Sequence, residues 1–254
     1  MYQHQRQSYF MKLSGNEPHK IRLQVFLSRN GVCSRRRAMD IVKEGHVQLN
    51  GQVCCEPSTL VDPGKDHVVV DDKKIHGRKY EYVLLNKPDG YMTTKADPHA
   101  DRTVFDILPP QFHHLSPVGR LDRDTEGLLL LTNDGDVAYR LTHPKFNIEK
   151  VYYACLDGEL LPEKKGKIER GIYIEGQKTA PAKIRVIKAS RGKTELMVTI
   201  HEGRKRQIRI MFAKEGYKVS YLKRVAQGPL SLGTLKRGCW RLLDRWEIDK
   251  LTRL

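Results

Sequence analysis

Residues 128–131 are four consecutive leucines, bounded by Gly127 and Thr132. A run that short and that apolar reads as a buried strand rather than a helix. Immediately upstream stand Gly119-Arg120-Leu121-Asp122, then Thr125, Glu126 and Gly127, and immediately downstream Thr132-Asn133-Asp134-Gly135. A lone aspartate beside an arginine is ordinary. Here the pair sits directly before a segment that must be buried, which makes this stretch the strongest constraint on the chain.

Around that strand, helix and strand patterns mix without strict βαβ alternation, which argues for an α+β fold. Ile21, Leu23, Val25, Phe26 and Leu27 suit a short buried helix stopped by Asn30-Gly31. Ser34 is a candidate N-cap for a second helix, with Ala38, Ile41 and Val42 on its inner face. Residues 47–53 read as strand, Asn50-Gly51 turn and strand, and residues 68–70 as a further strand. His76-Gly77-Arg78-Lys79 is a polar break and the expected linker. Beyond it, strands are predicted at 80–86, 128–132, 151–156 and around Leu196, Val198 and Ile200. Helices are predicted at 104–108, after Asp134, and over about 206–215 with Ile208, Met211 and Phe212 inward.

The charge balance narrows the partner. The chain has 254 residues, 39% of them hydrophobic, and a formal net charge of +16 with a pI near 9.7. Solubility needs charge of either sign; an excess of cations this large favours a polyanion and salt-sensitive association. Five cysteines (Cys33, Cys54, Cys55, Cys155 and Cys239) show no zinc spacing and read as reduced thiols. No apolar run approaches membrane-spanning length. Residues 1–19 are polar and basic without an apolar core, so they read as a flexible basic extension, with Met11 a candidate alternative start. These features point to a cytoplasmic protein.

Residues 21–76, with 34–51 at their centre, resemble the S4 RNA-binding domain. In that family the second helix and the following turn face RNA phosphates. The matching positions are Arg35, Arg36, Arg37, Lys43 and His46. The bland alternative is a solvated helix face. Three consecutive arginines span too wide an arc for one ridge, so at least one should serve structure or solvent.

The segment from Gly119 to Gly135 resembles the active-site segment of the pseudouridine synthases, in particular the RsuA/RluB-type enzymes that modify ribosomal RNA. Their reaction breaks the N1–C1′ bond of uridine, turns the uracil and rejoins it through C5. No electrons enter or leave, so no cofactor is expected. The resemblance names Asp122 as the catalytic carboxylate, which either attacks the sugar or removes a C2′ proton. Either role needs the ionised form, which burial disfavours and a nearby cation restores. Residues 201–209 resemble the family segment whose basic residue pairs with that aspartate, which assigns the pairing to Arg209. Glu149-Lys150-Val151-Tyr152 resembles the segment carrying the active-site tyrosine, so Tyr152 should lie against the target base and Tyr153 on the other face of its strand. Arg120 matches the arginine that helps hold a flipped nucleotide, a contact that offsets the cost of unstacking. Lys87-Pro88-Asp89-Gly90 matches a family loop, although a turn alone would explain it.

The resemblances imply an α+β protein in three parts: the extension 1–19, an S4-like domain over 20–77, and a mixed, mainly antiparallel-sheet pseudouridine synthase domain over 78–254. The implied partner is ribosomal RNA or a ribosome-assembly intermediate, met by a monomer away from any membrane. Segments 222–230 and 238–242 look more like the enzymes of large-subunit RNA than those of small-subunit RNA. The rival from another class is a non-catalytic S4-domain RNA-binding or ribosome-assembly factor. Asp122-Arg123-Asp124-Thr125 also fits the DxDxT pattern of aspartate-phosphorylating phosphotransferases, but there the first aspartate ends an apolar strand, whereas here the apolar run follows it.

Overall fold

The computed structural model describes residues 20–77, 79–95, 101–190 and 192–254. The extension 1–19 and Arg78 of the expected linker lie outside the described residues. The chain divides into two compact units, Met1–Arg78 and Lys79–Leu254.

In the first unit two short helices, Leu23–Arg29 and Arg35–Lys43, pack on a small antiparallel sheet. Asn30 ends the first helix, its side-chain amide donating to Phe26 O at 2.8 Å. Ser34 opens the second by accepting from Arg37 N–H, which satisfies one orphan donor of the first turn. Ala38, Ile41 and Val42 face inward as their spacing predicts, against Leu23, Phe26, Leu27 and Val68. Strands Val47–Leu49 and Gln52–Val53 meet through Asn50 and Gly51, both with positive φ (52° and 85°). Two consecutive left-handed residues are what a tight hairpin turn needs.

The second unit is built on one sheet. Its path runs Lys183–Ser190, Lys193–Ile200, Lys150–Asp157, Lys218–Gln227, Glu126–Thr132, Tyr82–Lys87 and Trp240–Leu242. Pairing along it is antiparallel except between Lys218–Gln227 and Glu126–Thr132. The four leucines are buried because this sheet is covered on both sides. Leu129 and Leu131, with Val83 and Leu85, enter the core under the Gln207–Lys214 helix. Leu128 and Leu130, with Tyr82 and Leu84, enter a second core under helices Gly135–Thr142 and Arg245–Thr252. Alternation along a strand has no polar phase when both faces are dry. The helix predicted at 104–108 is a single 3-10 turn, Val104–Asp106, closed by a capping box between Thr103 and Asp106. Among the described residues no helix is long and apolar enough to cross a membrane.

The parallel pairing depends on Gly127. It has φ of 107°, and a Cβ there would stand 2.1 Å from Arg224 O. Only a residue without a side chain lets the two strands approach so closely. Gly127→Ala is therefore expected to destabilise the chain by about 3 kcal/mol or more, from backbone strain plus overpacking. Thermal unfolding of the variant checks this, and a wild-type melting temperature contradicts it.

Candidate active site

The backbone of residues 121–125 is held by an unusually complete set of donors. Thr93 Oγ1 donates to Leu121 O at 3.0 Å. The Lys87 ammonium lies within 3.1, 3.3 and 2.9 Å of Asp122 O, Arg123 O and Thr125 O, and 3.0 Å from Pro88 O. Arg209 Nη2 donates to Asp124 O at 2.7 Å. Gly90 N–H also reaches Arg123 O, and Thr125 N–H folds back to Asp122 O. Five successive carbonyls thus have partners. The loop is fixed before any ligand arrives, the condition that preorganised sites require.

Lys87 is fully buried, at the end of an apolar strand. Burial pushes its pKa down to about 8; the carboxylates of Asp124, Asp122 and Glu126 oppose the shift. Glu126 opens the leucine strand and is itself buried. Its carboxylate accepts from Tyr221 OH at 2.7 Å and lies 3.0 Å from Arg237 Nε, and Arg237 also pairs with Asp89.

On that loop the Asp122 side chain is half-buried and lines a cleft of about 820 Å³. Arg120 and Tyr152 line the same cleft. Arg120 is exposed, and among the described residues its guanidinium has no hydrogen bond or ion pair. Tyr152 is buried, faces the first core and leaves its hydroxyl without a partner among the described residues. Tyr153 points the other way, as expected, with its hydroxyl 2.6 Å from Glu195 Oε2.

Arg209 does not pair with Asp122, contrary to the expectation. Its Nε lies 3.2 Å from Asp124 Oδ2, poorly angled for a hydrogen bond, and its Nη1 donates to Val219 O at 2.7 Å. Arg209 therefore ties the loop to the neighbouring strand from behind the cleft. Arg206 grips Asp124 with two bonds of 2.9 Å while holding a left-handed backbone, φ 52°. Burial raises the Asp124 pKa, but Arg206 and Arg209 outweigh it and hold the carboxyl below its ordinary value. The Asp122 carboxylate accepts no hydrogen bond or ion pair from a described residue, and meets Lys87, Arg206 and Arg209 only as longer-range cations. One carboxylate is used for structure, and the other two residues away is left open to the cleft.

Three further residues on the cleft wall escaped the sequence reading. Lys150 is buried two positions before Tyr152 on the same strand face; its pKa is lowered by burial and by Arg224, with Glu202 opposing. Arg224 is buried opposite Tyr152, with Nε on Leu128 O at 2.8 Å and Nη2 without a partner among the described residues. Gln207 braces the loop 202–207, donating to Glu202 and accepting from Arg204 N–H. The signal was present as alternation: Lys150 and Tyr152, and likewise Leu222 and Arg224, share inward positions.

In the first unit Arg35, Arg36, Arg37, Lys43 and His46 are all exposed. Arg37 pairs with Glu44 at 3.3 Å, and His46 lies 2.8 Å from Asp71. Arg35, Arg36 and Lys43 have no ion pair among the described residues.

Lys87 generates a test with a definite sign. Because its folded pKa is below the ordinary 10.5, the unfolded chain holds a proton that the folded chain releases between about pH 8 and that value. Stability from this group is lowest below pH 8 and rises with pH through the window. Lys87→Met should cost about 3–5 kcal/mol at neutral pH by orphaning the loop carbonyls. In denaturant unfolding the wild-type advantage should widen from about pH 7.5 to about pH 10. A constant gap would mean the ammonium bears no burial penalty.

Comparison with known proteins agrees with this organisation. Residues 81–214 match the family model described as RNA pseudouridylate synthase, and residues 21–68 match the S4 domain. Ribosomal large subunit pseudouridine synthase B of Bacillus subtilis (strain 168) is 41% identical over 235 residues, which cover 92% of this chain and 96% of that protein. An uncharacterized RNA pseudouridine synthase of Aquifex aeolicus (strain VF5) is 38% identical over 233 residues, covering 91% of this chain and 94% of its own. A crystal structure of a pseudouridylate synthase aligns with a TM-score of 0.66 at 30% identity, over 91% of this chain and 99% of that one. With an S4 domain ahead of a rigid aspartate loop in a mixed sheet, the chain belongs to the RNA pseudouridylate synthase family and is an RNA pseudouridine synthase.

Proposed function

We propose that this enzyme isomerises a uridine of ribosomal RNA, with large-subunit RNA preferred, and that Asp122 is the catalytic carboxylate. The observation that carries the reading is the open Asp122 side chain on a loop whose every carbonyl is held, beside Arg120 and Tyr152 in one cleft. The name of the Bacillus subtilis relative supports the large subunit. In this reading Asp122 acts at the sugar, as nucleophile at C1′ or as base at C2′. Tyr152 lies against the base, and Arg120 replaces part of the stacking that the flipped nucleotide loses. Arg209 acts as a positioning residue, through the Asp124 carbonyl and carboxylate. The two-domain division, with S4-like residues 20–77 and catalytic residues 78–254, gives RNA holding and chemistry to separate parts of the chain.

Asp122→Asn should fold and bind RNA but release no C5 tritium from labelled ribosomal RNA. The substitution keeps shape and removes the charge. Activity within about tenfold of wild type, less than the span general acid–base groups usually supply, would sink the assignment. Mapping pseudouridines in both ribosomal RNAs with and without the gene tests the subunit preference.

The first unit makes a separate prediction. Arg35→Ala and Arg36→Ala should each flatten the plot of log K against log salt by about 0.7–0.9, the slope of one lost phosphate contact. Arg37→Ala should flatten it less, because Arg37 is engaged by Glu44. Equal effects from all three would show that the Glu44 pair does not persist on RNA.

A further inference from the structure

The Gly135–Thr142 helix packs inward through Val137 and Leu141, so its burial is complete without Tyr139. Tyr139 is 46% exposed and its hydroxyl has no partner among the described residues. It is one turn before Thr142, and both Thr142 and Pro144 line the cleft that holds Asp122. Tyr139 does not itself line the cleft, but it adjoins it through Thr142 and Pro144.

Two more rings gather there. His143 lies 4.8 Å from Tyr139 between ring centroids, and Phe146 lies 5.7 Å from Tyr139 and 6.5 Å from His143. Lys145 places its ammonium 5.0 Å from the Tyr139 centroid and 4.7 Å from that of Phe146. The cluster is fixed by its backbone. His143 caps the turn Pro144–Phe146 by accepting from Lys145 N–H, and Asn147 leaves it in a left-handed conformation, φ 49°. The His201 ring donates to Asn147 O at 2.9 Å, which ties the cluster to the loop 202–207 on another wall of the cleft.

We propose that Tyr139, His143 and Phe146, with Lys145, form a stacking platform for a single-stranded nucleotide next to the target uridine. The proposal rests on the RNA-modifying reading of the same cleft. When one uridine turns out of its stack into a cleft, its neighbour loses a stacking partner. An exposed aromatic surface beside the cleft offers a replacement that accepts any base, since every base has a π-face. A lysine over the rings meets the adjoining phosphate. In the free chain that ammonium rests on the ring faces as a cation–π contact; on binding, the base takes the ring and the phosphate takes the ammonium. The net charge of +16 and the cations Arg120 and Lys150 in the same cleft fit a polyanion. The strand is then held at two sites at once: Asp122 acts on the uridine, and the platform fixes the strand that leads to it.

The test uses the full chain with ribosomal RNA transcripts labelled with tritium at uridine C5, and with single-stranded RNA containing 2-aminopurine. Tyr139→Ala should raise KM about tenfold, with most of the loss recovered at saturating RNA, whereas Tyr139→Phe should stay within about twofold. Tyr139→Ala should leave the salt slope alone, and Lys145→Ala should flatten it by a little under about one unit. Binding to the wild-type chain should quench 2-aminopurine, and Tyr139→Ala should remove that quench. A wild-type KM in Tyr139→Ala, a KM rise shared by Tyr139→Phe, or a quench that survives Tyr139→Ala would each overturn the platform and leave a self-contained cation–π cap. Loss of quench in a chain whose wild type releases no tritium would support the platform while refuting the proposed reaction.

Discussion

The Lys87 ammonium is the contact on which the rest of the site depends. A lysine buried at the end of an apolar strand is costly, and the cost is offset only because four carbonyls converge on it. Three of those carbonyls belong to the loop that carries Asp122. The ammonium therefore fixes the loop without touching the Asp122 side chain. A flexible loop would lose entropy each time the carboxylate met its substrate; this one has already lost it in folding.

The sheet supplies the other half of the same design. The loop runs straight into the Glu126–Thr132 strand, whose leucines are divided between two cores. Helices close both faces, so the strand cannot slide or tilt without opening a cavity on one side. Gly127 lets this strand run parallel and close to Lys218–Gln227, and Arg224 on that strand then reaches the wall of the cleft. The position of one side chain in the cleft thus follows from the lack of one at residue 127.

Asp122 and Asp124 show how a local turn divides two like groups. Thr125 N–H folds back to Asp122 O, and of the two carboxylates only that of Asp122 lines the cleft. Asp124 meets Arg206 and Arg209 and becomes part of the scaffold. Asp122 meets the cleft. No described side chain bonds to the Asp122 carboxylate, so its oxygens stay available to the cleft.

The local grammar of this chain was readable in its sequence. Ser34 and Asp134 cap helices, Asn50-Gly51 turns a hairpin, and the leucine run is a strand, because each outcome rests on backbone chemistry within a few residues. The family was readable too, since its motifs are contiguous. The partner of Arg209 was not. From the sequence, Asp122 and Asp124 are equally near, and only the folded turn decides which one the guanidinium reaches. Lys87 looked like a turn lysine, and Lys150 and Arg224 drew no reading of their own, because the groups that hold them are remote in sequence: Thr125 for Lys87, His201 for Lys150 and Leu128 for Arg224. The sequence by itself determined the locally encoded elements, such as the capped helices, the Asn50-Gly51 hairpin and the leucine strand, and which chemistry the chain can carry; it left the helices at 162–169 and 245–252 and the strands at 183–190, 218–227 and 240–242 unread. Tertiary structure decided which charges are buried, which pair, and which one is left open, because those outcomes depend on contacts between residues that only the fold brings together.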